Sequence, residues 1–270
     1  MSAAPPKLGI IAGGGALPHL LIESCKAQSR AYFVLGLAGF ADPKQLPADV
    51  WLHLSEVGKA FTALKSAGAR EIVLAGTVRR PNISEIKFDL KAAGFLARIA
   101  GRSLGDDGLL SVIVSEIERE GFKVVGADTI LAELLAPAGV LGRHHPDIAA
   151  QADIARGINA ARAIGAADIG QAVVIQQGIV LGVEGAEGTD ALLARCKGLA
   201  VNGPGGVLVK AKKPQQERRA DLPTIGVATV HNAQAAGLRG IAVEAGHSLM
   251  LNRAEIVAAA DNAGLFIVGA

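Results

Sequence analysis

From Lys7 onward, short apolar runs alternate with stretches whose apolar residues recur at helical spacing. KLGII, AYFVLGLAG, VWLHLS and EIVLAG belong to the first kind, and GALPHLLIESCKAQ and GKAFTALKSAG, which lie among them, to the second. Uninterrupted apolar runs of about four to eight residues predict strands covered on both faces, and the periodic stretches predict the covering helices. LKAAGFLARIAG and DGLLSVIVSEIEREG extend the series as helices and KVVGAD closes it as a strand. Residues 7–135 therefore read as a Rossmann-like domain on a parallel sheet.

Residues 136–147, APAGVLGRHHPD, interrupt the rhythm with prolines, glycines and adjacent histidines, and read as a linker. Beyond it, DIAAQADIARGINAARAIGAADIG predicts a long helix ended by Gly165. QAVVIQQGIVLGVEG predicts two strands turning at Gly178, and TDALLARCKGLA a helix. GVLVKAKK, GIAVEAG and LFIVGA predict strands separated by the helices ATVHNAQAAGL and AEIVAAADNAG. The fold class is α/β in two domains, 7–135 and 148–270, with a ligand site expected between them.

Composition narrows the function. Half the residues are apolar, yet only 3% are aromatic and 34 are glycine, which suits closely packed layers and not stacking platforms for bases. The 27 Lys and Arg against 25 Asp and Glu leave a formal charge of +2, so no nucleic-acid partner is expected. Cys25 and Cys196 fall far apart in helical stretches, as free buried thiols of a reducing compartment would. No window offers the roughly 18 apolar residues of a membrane span, and MSAAPPK lacks the apolar core of a signal peptide. A cytoplasmic location is expected.

The candidate chemistry begins at IAGGGALPH, where a strand runs into a helix. The dinucleotide fingerprint Gly-x-Gly-x-x-Gly fits Gly13 and Gly15 but meets Pro18 in its third place, and no acid follows the second strand to hold a ribose. The loop reads instead as a rest for phosphate at a helix N-terminus, through Gly13, Gly14 and Gly15. AGTVRRP places Thr77, Arg79 and Arg80 at a strand end before Pro81, a second phosphate-competent loop. GDDGLL sets Asp106 and Asp107 at a helix start, as caps or metal-linked carboxylates. VEGAEGTDALL gathers Glu184, Glu187 and Asp190 within seven residues, a set suited to Mg²⁺ or, for Thr189 and Asp190, to capping. In VLVKAKKPQQERRADLPTIG, Lys210 and Lys212 alternate as if on one side of a strand, and Lys213, Arg218, Arg219, Glu217 and Asp221 follow in a polar loop. The six histidines show no metal-ligand spacing.

IAGGGALP, AGTVRRP, GDDGLL, GADTILAELLAPAGVLG, ARAIGAADIGQAVVI, VEGAEGTD, KKPQQERRADLPTIG and GIAVEAG together resemble the UDP-2,3-diacylglucosamine pyrophosphatase family of bacterial lipid A biosynthesis, the type without a calcineurin-like fold. The resemblance spans nearly all of residues 7–270. It implies Mg²⁺-assisted hydrolysis of UDP-2,3-diacylglucosamine to UMP and 2,3-diacylglucosamine 1-phosphate, with peripheral contact to the inner-leaflet membrane surface; a homodimer stays open. Gly13, Gly14, Gly15, Thr77 and Val78 are then expected at one end of the substrate and Thr189 and Lys210 at the other, with Arg79, Asp128 and Lys212 also binding. Asp221 and Glu217 become candidates to orient water, and Glu187 and Asp190 candidates for metal. Two positions depart from the family pattern: Ala228 stands where an Asp is suspected, which makes this chain a candidate inactivated variant, and Glu217 stands where Asp is common. The rival reading is a nonhydrolytic nucleotide-sugar binding protein.

Overall fold

A computed structural model describes residues 4–79 and 106–270; the expected helix LKAAGFLARIAG, Arg80 and Pro81 lie outside the described residues. Two compact units emerge, Met1–Leu131 with Glu217–Asp221, and Ala132–Gln216 with Leu222–Ala270.

The first unit contains β1 (Leu8–Ala12), α1 (Leu17–Ala27), β2 (Tyr32–Leu37), β3 (Val50–Leu52), α2 (Val57–Ser66), β4 (Glu71–Ala75), α3 (Asp106–Arg119), β5 (Lys123–Val124) and α4 (Ala127–Ile130). Its five strands are all parallel, in the order β3-β2-β1-β4-β5. The order therefore reverses between β1 and β4, where the connections leave in opposite directions. Leu35, Leu37, Phe61, Leu64, Ile72, Ile117 and Phe122 form one core of this unit, and Ala220 from the distant segment packs against it.

The second unit contains β6 (Gly139–Leu141), α5 (Ile148–Ala166), β7 (Ala172–Gln176), β8 (Ile179–Val183), α6 (Gly188–Cys196), β9 (Val207–Lys210), β10 (Thr224–Ile225), α7 (Val227–Ala235), β11 (Gly240–Val243), β12 (Leu249–Met250), α8 (Arg253–Ala263) and β13 (Phe266–Gly269). Six strands make a mixed sheet in the order β6-β13-β11-β9-β7-β8, and β10 pairs with β12 separately. Strand alternation sorts the side chains: Ala172, Val174, Leu208 and Ile241 join Leu192, Val230 and Ile256 on one face, while Val173, Ile175, Val207 and Val209 join Ala150, Ile154 and Ala161 of α5 on the other. Helix α5 starts at Asp147, whose carboxylate accepts the Ala150 N–H at 2.7 Å. Its small residues Ala150, Gly157, Ala161 and Gly165 recur along one face, and a side chain at Gly157 would strike Val209. That close approach is what the glycine- and alanine-rich composition provides.

Several elements differ from expectation. The stretch read as a linker holds β6, which pairs antiparallel with β13. Strand β9 ends at Lys210, so Lys212 is not its alternate neighbour on a strand face; the Lys212 N–H goes to Glu244 at 2.8 Å and its ammonium to the Lys213 carbonyl at 3.0 Å. The turn at Gly178 is as expected, a two-residue hairpin with Gln177 and Gly178 both at positive φ. No described helix is long and apolar enough to cross a membrane. Cys25 and Cys196 are both free and buried.

Candidate functional site

In the first unit, the loops after β1 and β4 meet backbone to backbone. Gly13 N–H donates to Ala75 O at 2.8 Å, Gly14 N–H to Thr77 O at 3.0 Å, and Thr77 N–H back to Gly14 O at 2.8 Å. A Cβ on Gly13 would lie 2.7 Å from Thr77 O, and one on Gly14 2.8 Å from Phe40 O. Gly13 is thus required by the crossing of the two loops and Gly14 by the approach of the Phe40 carbonyl from the loop after β2, and the amides of both are directed at carbonyls. The expectation that these two N–H groups face phosphate is corrected accordingly. Gly15, at φ 87° and exposed, and Ala16 lie beyond the crossing. Thr77, Val78 and Arg79 are exposed at the end of β4.

Segment Glu217–Asp221, far away in sequence, folds with this unit through its side chains. Arg218 donates from Nε and Nη2 to Oδ2 of Asp128, at 3.0 and 2.8 Å, and Asp128 is buried in the first turn of α4. Arg219 reaches Glu118 at 2.6 Å and clamps Glu217 with two side-chain bonds of 2.9 and 2.8 Å. The bond from Arg219 holds the Glu217 carboxyl below the usual carboxylate range, which makes it a poor proton acceptor. Asp221 ends the segment, its N–H bonded to Glu217 O at 3.0 Å. Asp128, expected at the substrate, anchors Arg218, and sequence reasoning missed that pairing. The only hint was an Arg-rich insertion, ERRAD, between two apolar stretches.

In the second unit, Lys210 is the last residue of β9 and 5% exposed. Period-two alternation puts it on the Leu208 side, toward the start of α6. Its ammonium donates to Thr189 Oγ1 at 2.9 Å and to Thr224 O at 3.1 Å. Thr189 in turn donates to Glu184 Oε1 at 2.6 Å, and Glu184 Oε2 accepts Gln171 N–H at 3.0 Å. Lys210 and Thr189, expected together at one end of the substrate, are brought together, with Glu184 behind them. Lys212 belongs to a different group, around Glu244, which also accepts from Arg162 at 2.7 Å.

The carboxylates proposed for Mg²⁺ do not converge. Glu184 holds Thr189, Glu187 pairs with Arg195 at 2.9 Å, and Asp190 accepts from Asn232 at 2.8 Å. Among the described residues no group of three or more His, Cys, Asp or Glu is placed to hold a metal. Glu187 and Asp190 therefore do not fit a preformed metal centre, because each carboxylate is already turned to its own partner. Asp107, whose metal-linked reading was left open, is buried in the first turn of α3. Ala228 is exposed in the first turn of α7, where Thr229 Oγ1 accepts the Gly226 N–H at 3.3 Å.

Both units match one family. Residues 7–134 match the description LpxI N-terminal domain and residues 137–268 the LpxI C-terminal domain. The chain is 46% identical over 273 residues to the UDP-2,3-diacylglucosamine pyrophosphatase LpxI of Caulobacter vibrioides, covering 97% of this chain and 97% of that one.

Proposed function

The chain belongs to the LpxI family, and from that membership we propose that it is a hydrolase of lipid A biosynthesis that cleaves the diphosphate of UDP-2,3-diacylglucosamine. The observation that carries the reading is the full-length relationship to the Caulobacter pyrophosphatase, at 46% identity across both units. The products are UMP and 2,3-diacylglucosamine 1-phosphate: water adds to one phosphorus, and the bridging oxygen leaves with the other.

The residues divide the work as follows. Lys210, buried and held by Thr189 and Thr224, is fitted to neutralise charge that builds on the phosphoryl oxygens. Arg79 and Thr77 serve the same end from the loop after β4, beside the Rossmann-like reversal of strand order where parallel sheets collect ligands. A carboxylate must orient the attacking water and take its proton. Asp221, which closes the segment Glu217–Asp221, is assigned that role; Glu217, its carboxyl held low by Arg219, is the poorer proton acceptor. Lys212 supports the lysine-rich strand end through Glu244. No step is routed through Mg²⁺, because the expected ligands do not fit it. The two acyl chains of the substrate call for peripheral contact with the cytoplasmic face of the inner membrane, and a homodimer is carried as part of the same proposal.

The test is release of UMP from UDP-2,3-diacylglucosamine by the full chain, and its loss in Asp221→Asn. Tight substrate binding with no UMP, both from the wild-type chain and from Ala228→Asp, would overturn hydrolysis in favour of a nucleotide-sugar binding protein.

A further inference from the structure

We infer that Glu184 is a positioning residue for Lys210, acting through the hydroxyl of Thr189 and never on the substrate itself. The inference rests on the assignment of Lys210 to the diphosphate.

The polarity of the chain of bonds follows from the donors available. A lysine ammonium carries only protons to give, a carboxylate only lone pairs, and a threonine hydroxyl has one proton and two lone pairs. Thr189 Oγ1 lies 2.6 Å from Glu184 Oε1, within the span of hydroxyl-to-carboxylate bonds. The single hydroxyl proton is therefore committed to Glu184, and the lone pairs face Lys210 Nζ at 2.9 Å. The second carboxylate oxygen is committed as well, to Gln171 N–H at 3.0 Å, which fixes the rotation of the whole group. Glu184 is 6% exposed, so water does not compete for either oxygen.

The local sequence builds this arrangement from two turns. Glu184 follows directly on β8, its own N–H bonded to Ala172 O at 2.8 Å, and so extends the ladder to β7 by one residue. Thr189 is the second residue of α6, five positions on. The turn between them brings the hydroxyl back over the carboxylate. Lys210 arrives from β9 on the far side of β7. Three separate elements thus meet on one hydroxyl, whose direction only a full carboxylate can set. A glutamine at 184 has one carbonyl oxygen for two donors, Thr189 O–H and Gln171 N–H. Turned to satisfy Gln171, it would present NH₂ to Thr189, reverse the hydroxyl and aim its proton at the ammonium.

The experiment measures kcat and KM for UMP release, with the thermal midpoint, for Glu184→Gln, Thr189→Val, Thr189→Ser and the double variant Glu184→Gln/Thr189→Val. Glu184→Gln and Thr189→Val are each expected to lower kcat/KM by about 10- to 100-fold, the rate equivalent of one charge-assisted hydrogen bond. Thr189→Ser, which keeps the hydroxyl, retains activity within about threefold of wild type. The double variant is no worse than Thr189→Val, because the relay is already cut. Full additivity, or a loss in Glu184→Gln that follows the thermal midpoint alone, would assign Glu184 to the fold and overturn the inference. Should Glu184→Gln not fold, equal activity of Thr189→Ser and Thr189→Val overturns it too. A wild-type chain that is inactive and stays so in Ala228→Asp would instead refute the hydrolase assignment, a separate outcome; where only Ala228→Asp is active, the series is measured in that background.

Discussion

Truncating the two partners of the Arg218–Asp128 pair should have unequal effects, and the inequality follows from their burial. The Asp128 side chain is 6% exposed and that of Arg218 43%. In Arg218→Ala, a buried carboxylate loses both of its guanidinium donors. Stripping a fully buried pair of one partner costs about 3–5 kcal/mol, and because the departing guanidinium was nearly half exposed, water can follow it in. The expected loss is therefore about 2–3 kcal/mol, between that figure and the cost of an unsatisfied polar group. In Asp128→Ala, a guanidinium that is already nearly half exposed loses one carboxylate partner, and the loss is about 1 kcal/mol. The pair also tethers the short segment that carries Asp221, together with the partly exposed Arg219–Glu118 contact and the packing of Ala220. Arg218→Ala should accordingly lower kcat for UMP release while leaving KM within a few-fold. Denaturant unfolding of both variants, read beside their kinetics, decides the matter. Equal destabilisation, or an Asp128→Ala variant that raises KM at unchanged stability, would refute the anchoring role and return Asp128 to the substrate.

Four further outcomes are expected. Gly14→Val should destabilise the fold by about 1–3 kcal/mol as well as impair activity, since its Cβ would lie 2.8 Å from the Phe40 carbonyl; a loss of substrate affinity at unchanged thermal midpoint would restore Gly14 to the ligand. Ala228→Asp places a carboxylate in the first turn of α7 and should raise stability by about 0.3–1 kcal/mol through the helix dipole; a gain in UMP release would show that the present chain is an inactivated form, and no gain would refute that reading. The Glu217 carboxyl is held low chiefly by its bond from Arg219, so its contribution to stability is complete above the ordinary value near pH 4.3 and fades as pH falls through the lower folded value. Denaturation midpoints of wild type and Glu217→Gln should converge over that acid window, and a gap independent of pH would refute the pairing. Finally, calorimetric titration of Mg²⁺ into the protein alone should show no saturable binding at submillimolar concentration; binding abolished by Glu187→Gln would reinstate the carboxylates as a metal centre.

Much of the architecture was legible because it is local. The apolar runs around Ile10, Val34 and Val73 became adjacent parallel strands, and Gly178 supplied the hairpin turn. Lys210 and Thr189 were recognisable by resemblance, yet the strand-face argument that linked Lys210 to Lys212 failed, because β9 stops where Lys212 N–H turns to Glu244. What periodicity could not carry was long-range pairing. Nothing in the spelling of ERRAD says that Arg218 will find Asp128, 90 positions earlier, since a solvated charge run and an anchoring segment have the same composition. The three acids of VEGAEGTD pose the same difficulty. Their closeness in sequence suggested one cation, but Glu184 extends the β8 ladder, Glu187 stands just before α6 and Asp190 lies in its first turn, so the three were delivered to Thr189, Arg195 and Asn232.

The glycine loop shows why a motif of this kind needs its amides traced. A glycine that lets a phosphate approach and a glycine that lets another loop approach are identical in sequence, because both positions require only that no Cβ be present. They differ in where the N–H points. At Gly13 and Gly14 it points to Ala75 and Thr77, so the crossing of the two loops holds the ends of β1 and β4 together across the reversal of strand order. Past that crossing one amide is missing, since Pro18, in the first turn of α1, has no N–H to give. The two cations proposed for the diphosphate differ in exposure, Arg79 being exposed after β4 and Lys210 buried at the end of β9. Each proposed cation should therefore have its own salt dependence: the contribution of exposed Arg79 to substrate affinity should fall steeply with rising salt, and that of Lys210, buried and bonded on two sides, only a little.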